Sequence, residues 1–377
     1  MLYNTEKNSN FDDLKFSLIM TNLEHLQIKN FRGFDSLEIE GLSKINLFVG
    51  KNNSGKTSIL EALFLLFGMS NPTLPSNINN IRGLGKGNQI GLSQQLKYLF
   101  HNLNLSEKPS FYGRFNDTSE RWLEIEPRFK QNEFSPDVSS VSVPEINGIG
   151  LNFSTKKRQV PRKSFKSFFI LEGNNNTIKS TVPREYIETL IATYISSDVK
   201  DNTSTLMRYS EILKKKGGES ILKALQDAFD NNIIALQPFP DGLYFNLKDL
   251  GELLPTNLMG DGLRRFLNIV TAVSERQNGF ICIDEIENGL HYSAYKWLWK
   301  SLLTFVEQND IQLFISTHNI ETLECLKSVL EEEKFKTMQD YAKVFSISKT
   351  VKSEYKSYKY SFEEFKTAIE NDIELRK

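Results

Sequence analysis

Cysteine and histidine are scarce, with two of the former and four of the latter in 377 residues. Neither the count nor the spacing of Cys282 and Cys325 makes a zinc site or a disulfide framework, which suits a reducing compartment. Cys282 stands inside an apolar run and reads as a small core side chain. No apolar stretch reaches the roughly 18 residues of a bilayer-crossing helix, and no secretory signal is seen. The expectation is a cytoplasmic protein without a membrane partner. Excess charge is missing too, since 46 Lys and Arg face 47 Asp and Glu. That excludes a surface built throughout for nucleic acid and leaves room for a local basic patch. No internal repeat is visible, and the apolar and charged fractions, 39% and 25%, are those of an ordinary folded chain.

What is present is concentrated in short motifs. Residues 50–57 read Gly-Lys-Asn-Asn-Ser-Gly-Lys-Thr, a full match to the phosphate-loop pattern G-x-x-x-x-G-K-[ST]. The apolar run 45–49 before it predicts a buried strand. The run 58–67 after it predicts a helix closed by Gly68. Strand, loop and helix are the context in which backbone N–H groups and a helix N-terminus wrap a polyphosphate. Gly50, Asn53, Ser54, Gly55 and Ser58 would line that cradle. Lys56 would reach the β/γ-phosphates of ATP, and the Thr57 hydroxyl would ligate Mg²⁺.

The coarse organisation is a polar leader at 1–22, a first nucleotide-binding segment at 23–68, an insertion at 69–240 and a second segment at 241–377. Met20 offers an alternative start to Met1. Strand-like alternation begins at Leu23. Residues 69–108 predict helices separated by loops. From about 110 to 170 short alternating runs predict an antiparallel sheet with long hairpins. Ile187, Leu190, Ile191 and Tyr194, then Ile221, Leu222, Leu225 and Phe229, fall at helical spacing, so 184–230 is expected to be helical. A hairpin is expected around Asp241 and Gly242, and a final helix from Ser361. The fold class expected is α/β, one nucleotide-binding mixed sheet split by an α+β insertion of antiparallel sheet and helices.

The second segment carries the complementary chemistry. Phe280-Ile281-Cys282-Ile283 is a buried strand that delivers Asp284 and Glu285 to the carboxyl edge of the sheet, where ligands bind in α/β folds. Asp284 suits Mg²⁺ and Glu285 suits activation of the attacking water. Glu287 is read as a helix-start acid, and as the next base if Glu285 is not one. His318 follows the strand 311–315 in Ser-Thr-His-Asn and is placed to meet the γ-phosphate. Gly260, Asp261 and Gly262 open a further helix, a second phosphate-capable N-terminus that suits the nucleotide of another copy of the chain.

Taken together, Asn-Phe-Arg-Gly-Phe (30–34), the phosphate loop, Met-Gly-Asp-Gly-Leu-Arg-Arg (259–265), Ile-Asp-Glu-Ile-Glu-Asn-Gly-Leu-His (283–291) and Ser-Thr-His-Asn (316–319) resemble the ordered motifs of ABC-class ATPases of the RecF and SMC type. The nearest resemblance is to the AAA-labelled ATPase domain of the overcoming-lysogenization-defect (OLD) group, which recurs in bacterial phage-defence operons. It covers residues 23–68 and about 240–376. It implies an ABC-type head whose two copies sandwich two ATP molecules, as a homodimer or a higher even oligomer. Gly260, Asp261 and Gly262 would be the signature loop facing the other copy's ATP, and Asn288, Gly289, Leu290 and His291 the loop coupling the two sites. Arg32 would approach the nucleotide from the first strands, and Asn53 would face the β/γ-phosphates. The signature is not Leu-Ser-Gly-Gly-Gln, which disfavours transport. The glutamine that senses metal and water is not fixed, with Gln89, Gln94 and Gln95 as candidates.

The reading that follows is a Mg²⁺-dependent ATPase switch, dimerising around ATP and controlling a separate effector, a nuclease or toxin encoded nearby, in anti-phage defence. The alternative is a RecF-like repair ATPase that clamps nucleic acid. The segment 156–166 holds six cations and no acid, a solvated hairpin tip or a phosphate-backbone contact. Phe165, Phe168 and Phe169 are candidate aromatics for a partner pocket.

Overall fold

The computed structural model describes residues 21–84, 91–130, 145–172, 177–198, 203–229, 232–350 and 354–376. The chain opens with strands β1 (Leu23–Phe31), β2 (Phe34–Glu40) and β3 (Ile45–Val49), followed by the phosphate loop and helix α1 (Lys56–Phe67). Two short helices, α2 (Leu74–Ile81) and α3 (Leu92–Lys97), precede β4 (Ser110–Phe115), β5 (Glu120–Phe129), β6 (Ile146–Lys156), β7 (Lys163–Glu172) and β8 (Thr177–Thr181). Then come β9 (Ala192–Ile195), α4 (Thr203–Lys214), α5 (Gly218–Ala228), β10 (Ile233–Phe239), β11 (Gly242–Leu247) and the two-residue β12 (Leu254–Pro255). The remainder is α6 (Asp261–Glu275), β13 (Gly279–Ile283), α7 (Tyr295–Asn309), β14 (Ile311–Thr317), α8 (Ile320–Leu330), β15 (Ala342–Lys349), β16 (Tyr355–Tyr360) and α9 (Phe362–Glu370).

Two large sheets result. The first is mixed, in the order β16-β15-β3-β14-β13-β9, parallel throughout except for its antiparallel edge strand β16. The second has seven strands in the order β2-β1-β4-β5-β6-β7-β8, all antiparallel. A three-stranded sheet, β10-β11-β12, completes the set. This is the α/β fold with a mixed sheet that the sequence leads one to expect.

Helix α1 lies between the two large sheets, which explains why it is apolar almost all round. Ile59, Leu63, Leu66 and Phe67 share one core with Phe280 and Phe314 of the mixed sheet and with Leu26, Phe111 and Leu123 of the antiparallel sheet. Phe67 stacks on Phe280 with ring centroids 3.9 Å apart. Its C-terminus closes as expected, the Gly68 N–H donating to Phe64 O at 3.1 Å. The other face of the mixed sheet buries Ile45, Leu47 and Val49 against α6, α7 and α8. Fully buried Gln312 stitches the sheets together, since its amide accepts from Leu23 N at 2.8 Å and donates to Leu23 O at 2.8 Å and to Ser43 O at 2.7 Å.

Two expectations are corrected. The stretch 184–195 is not helical. Residues Ala192–Ile195 form β9 and pair in parallel with β13, inside the nucleotide-binding sheet. The apolar spacing there imitates a helix, but Ile187 and Ile191 are 81% and 51% exposed while Ile195 is buried, and the β-branched and aromatic run Thr-Tyr-Ile takes the strand. The antiparallel sheet is also not confined to the insertion, because β4 pairs with β1 and draws the first segment's strands into it. The expected boundary at 240 falls in the turn of the β10–β11 hairpin. The leader 1–20 lies outside the described residues.

Candidate nucleotide-binding site

The loop between β3 and α1 bends through left-handed backbone at Gly50, Asn53 and Gly55. A Cβ on Gly55 would lie 2.4 Å from the Phe34 ring, and one on Gly50 would lie 2.6 Å from Ile347 O, so neither position admits a side chain. Within the cradle the Lys56 ammonium donates to its own loop's carbonyls, Gly50 O at 2.8 Å and Lys51 O at 2.9 Å. The Ser54 hydroxyl is buried and takes no hydrogen bond from the described residues. Burial draws the Lys56 pKa below its ordinary value, opposed by the nearby carboxylates of Glu285, Glu287 and Asp284. The loop therefore presents a desolvated cation and an uncommitted hydroxyl facing three acids, which fits a polyphosphate with a metal.

Asp284, at the end of β13, is 6% exposed. Its Oδ1 accepts from Thr57 Oγ1 at 3.0 Å and from Ser316 Oγ at 2.6 Å, and its Oδ2 accepts from the Tyr194 hydroxyl at 3.5 Å. Burial pushes the Asp284 carboxyl up, and the hydrogen bonds from Ser316 and Thr57 pull it back. A hydroxyl and a carboxylate side by side are the hard oxygen donors that suit Mg²⁺. Glu285 follows in left-handed backbone, its N–H donating to Ser316 Oγ at 2.8 Å. Glu287 is turned inward, and its Oε1 accepts from the His318 N–H at 2.9 Å and lies 3.0 Å from His318 Nδ1. It is not a helix-start acid, since α7 begins only at Tyr295.

Arg265 on α6 is 1% exposed and clamps this edge from below. It donates to Asp284 O at 2.6 Å, to Glu285 O at 3.1 Å and to Ser196 O. Burial lowers its pKa to about 10, against the pull of Asp284 and its neighbours. The same helix begins at the Gly260 cap. Asp261 is exposed and ion-paired with Arg264. Gly262 is packed so closely on the segment 288–291 that a Cβ would lie 2.8 Å from Gly289 O. Asp261, Arg264, Asn288 and Gly289 line one open polar depression of 460 Å³.

Arg32 is engaged beside α1 rather than by the loop's own atoms. Its guanidinium donates to Glu61 at 3.1 Å and 3.4 Å, to Asn79 Oδ1 at 2.7 Å and to Tyr98 O at 3.1 Å. Arg82 shares the buried Glu61, at 2.6 Å and 3.0 Å, and touches Ser58 Oγ at 3.2 Å. Two arginines on one carboxylate thus hold α2 against α1. Of the candidate glutamines, Gln94 donates to the Tyr98 hydroxyl, Gln95 is buried on α3, and Gln89 lies outside the described residues. The three phenylalanines differ in burial. Phe169 is 2% exposed and belongs to the core, which corrects its place among the partner-pocket candidates, while Phe165, stacked on Phe153 and lining an open depression, and Phe168, under Arg128, are half-buried. In the basic hairpin Lys156 pairs with Glu120 and Arg162 covers Trp122, its guanidinium 4.0 Å from the ring centroid, while the side chains at 157, 158, 163 and 166 are exposed.

Sequence reasoning missed Tyr194, Arg265, Glu61 and Arg82. Arg265 had a signal, an arginine beside Leu263, Phe266 and Leu267 on a helix whose apolar face must be buried. The other three become visible only once β9 and α2 are in position.

The chain is similar to several known proteins. An ATP/GTP phosphatase of Helicobacter pylori is 28% identical over 345 residues, 83% of this chain and 90% of that protein. A DNA replication and repair protein RecF of Clostridioides difficile is 49% identical over 49 residues, 13% of each chain. Among solved structures, an SMC head bound to the C-winged helix domain of ScpA aligns over 92% of this chain and 99% of that one, at 11% identity and a TM-score of 0.47. No helix among the described residues is long and apolar enough to cross a membrane. Residues 45–324, from the strand before the phosphate loop to the helix after His318, match one family model, and the chain belongs to that family: AAA domain, putative AbiEii toxin, Type IV TA system.

Proposed function

We propose that the chain hydrolyses ATP with Mg²⁺ and uses the nucleotide as a dimerisation switch. The observation that carries the first half is the meeting of Thr57 Oγ1 and Asp284 Oδ1 at 3.0 Å beside a desolvated Lys56. Thr57 and Asp284 would hold the metal, which when bound supplies charge neutralisation at the β/γ-phosphates. Lys56 and the loop N–H groups bind and orient the phosphates. The Glu285 carboxylate takes the proton of the attacking water, and His318 holds the terminal phosphate. Asn53, Ser54 and Ser58 complete the cradle.

The second half rests on the resemblance to two-headed ATPases and on the packing of Gly262 against Gly289. Gly260, Asp261 and Gly262 of one copy would cap the nucleotide of the other in a two-fold dimer. The output would pass to a separate effector, since a switch acts only through a partner that distinguishes its states. The family's toxin-system description and the resemblance to the OLD group support a role in anti-phage defence. The exposed cations at 157, 158, 163 and 166 support a second reading, a RecF-like clamp on nucleic acid.

The test is ATP turnover and light scattering of three proteins. Lys56→Ala should lose ATP binding. Glu285→Gln should bind ATP, fail to hydrolyse it and accumulate as a dimer. Parental turnover by Glu285→Gln overturns the assignment of the base, and a monomeric Glu285→Gln with ATP overturns the switch.

A further inference from the structure

Resting on the hydrolysis reading above, we propose that Glu287 is the positioning residue of His318, holding the imidazole in the tautomer that presents Nε2 as its remaining hydrogen-bonding atom. Glu287 lies in the turn after β13, and its side chain is 6% exposed. One of its oxygens, Oε1, meets both the His318 backbone N–H at 2.9 Å and the ring Nδ1 at 3.0 Å. An ionised carboxylate only accepts, so a neutral ring in this contact carries its proton on Nδ1. Nε2 is then an acceptor, and becomes a donor to phosphate when the ring is protonated. The ring is 46% exposed, so the grip on one edge leaves the other accessible. The residue is fixed at a third point, because Arg376 Nη1 donates to His318 O at 2.9 Å.

The second oxygen strengthens the inference. Glu287 Oε2 is buried and accepts from none of the described residues. A buried carboxylate oxygen without a donor is costly unless it serves the bound state. Glu287 also acts through its charge on Lys56 and Arg265, the cation of the loop and the clamp of the acid strand. It therefore stands where the phosphate loop, the acid strand and the histidine strand meet, and it orients the last of these as a carboxylate orients an imidazole in other acid–imidazole pairs.

The experiment uses the full chain labelled with ¹⁵N-histidine. Four histidines give four ring systems, and His318→Gln assigns the one of interest. The parent should show the Nδ1–H tautomer at His318. Glu287→Met, similar in size and without an acceptor, should lose it and lower kcat by about 10- to 100-fold with the Kd for ATP within about threefold. Glu287→Gln keeps a neutral acceptor and should restore most of the tautomer and part of the rate. A thermal melt checks that both fold. An unchanged tautomer or a parental kcat in Glu287→Met overturns the proposal, as does parental hydrolysis by His318→Gln. If Glu287→Met does not fold, a Glu287→Gln ring in the Nε2–H form overturns it instead. A parent that does not hydrolyse ATP overturns the hydrolysis reading, and the ring spectra alone then decide whether Glu287 sets the tautomer.

Discussion

Strands β3, β13 and β14 are buried at every residue, whereas β1, β2 and β5 alternate between buried and open positions. The same helix, α1, covers one face of each sheet. The mixed sheet is covered on its second face by α6, α7 and α8, and the antiparallel sheet is not. A sheet buried on both faces has its register fixed by packing and can hold acids at its carboxyl edge to within hydrogen-bond distance. A sheet with an open face tolerates charge, and there Lys108 pairs with Glu124, Lys156 with Glu120, and Arg162 covers Trp122. The candidate site thus stands on the sheet that is covered on both faces, and the open charged surface on the other.

The sharpest way to break this contrast is to change one charged atom group in each sheet. Asp284→Asn should lower Mg²⁺-dependent ATP turnover by roughly 100- to 10,000-fold if Asp284 holds the metal as proposed, because it removes the carboxylate charge and keeps only a neutral amide oxygen to accept from Thr57. Glu120→Gln, in the antiparallel sheet, should leave turnover within about twofold. Steady-state assays over a Mg²⁺ series measure both, and equal losses would end the division of labour.

Stability should follow the same division. Arg265→Met leaves the carbonyls of Asp284, Glu285 and Ser196 without their donor in a buried place. The expected cost is about 3–5 kcal/mol, read from urea unfolding. Arg162→Met on the open sheet loses one bond to Ser154 and a cation over Trp122, about 1 kcal/mol. If the two variants melt alike, Arg265 is not the clamp described above. Phe67→Leu tests the shared layer. It removes the ring stacked on Phe280 and should cost about 1–3 kcal/mol while lowering turnover only modestly, because it loosens both sheets without touching the loop.

The contrast also explains what could be read from the sequence. Continuous apolar runs ending in Gly50, in Asp284 and in Ser316 announce buried parallel strands, and the loop, the acids and the histidine follow at their ends. Thr57 and Asp284 were legible because each stands in a local motif, and the structure brings their oxygens to 3.0 Å of each other. Strand β9 was not legible. Four residues with apolar positions at helical spacing fit either class, and only pairing with β13 decides between them. Arg32 was assigned to the nucleotide by its motif, yet its partners Glu61, Asn79 and Tyr98 lie on α1, on α2 and beside α3, a convergence that no spacing encodes. The inward turn of Glu287 is tertiary in the same sense, set by the neighbouring end of β14.

The smallest expected effect on the fold concerns the open sheet's hairpin. Arg162 is committed to Ser154 and Trp122, so the cations able to meet a phosphate backbone are Lys157, Arg158, Lys163 and Lys166, all exposed. Exposed side chains of this kind contribute little to stability, so replacing the four by Ala should shift unfolding by less than about 1 kcal/mol in total. Turnover of ATP should be unchanged, since the hairpin lies on the sheet that carries none of the acids. If the clamp reading holds, affinity for double-stranded DNA should fall, and the slope of log K against log salt should shrink by about 2 to 4, because each lost phosphate contact removes close to one unit. An unchanged slope would assign the hairpin to solvent or to an acidic protein partner, and would leave the effector switch as the reading that the open sheet serves.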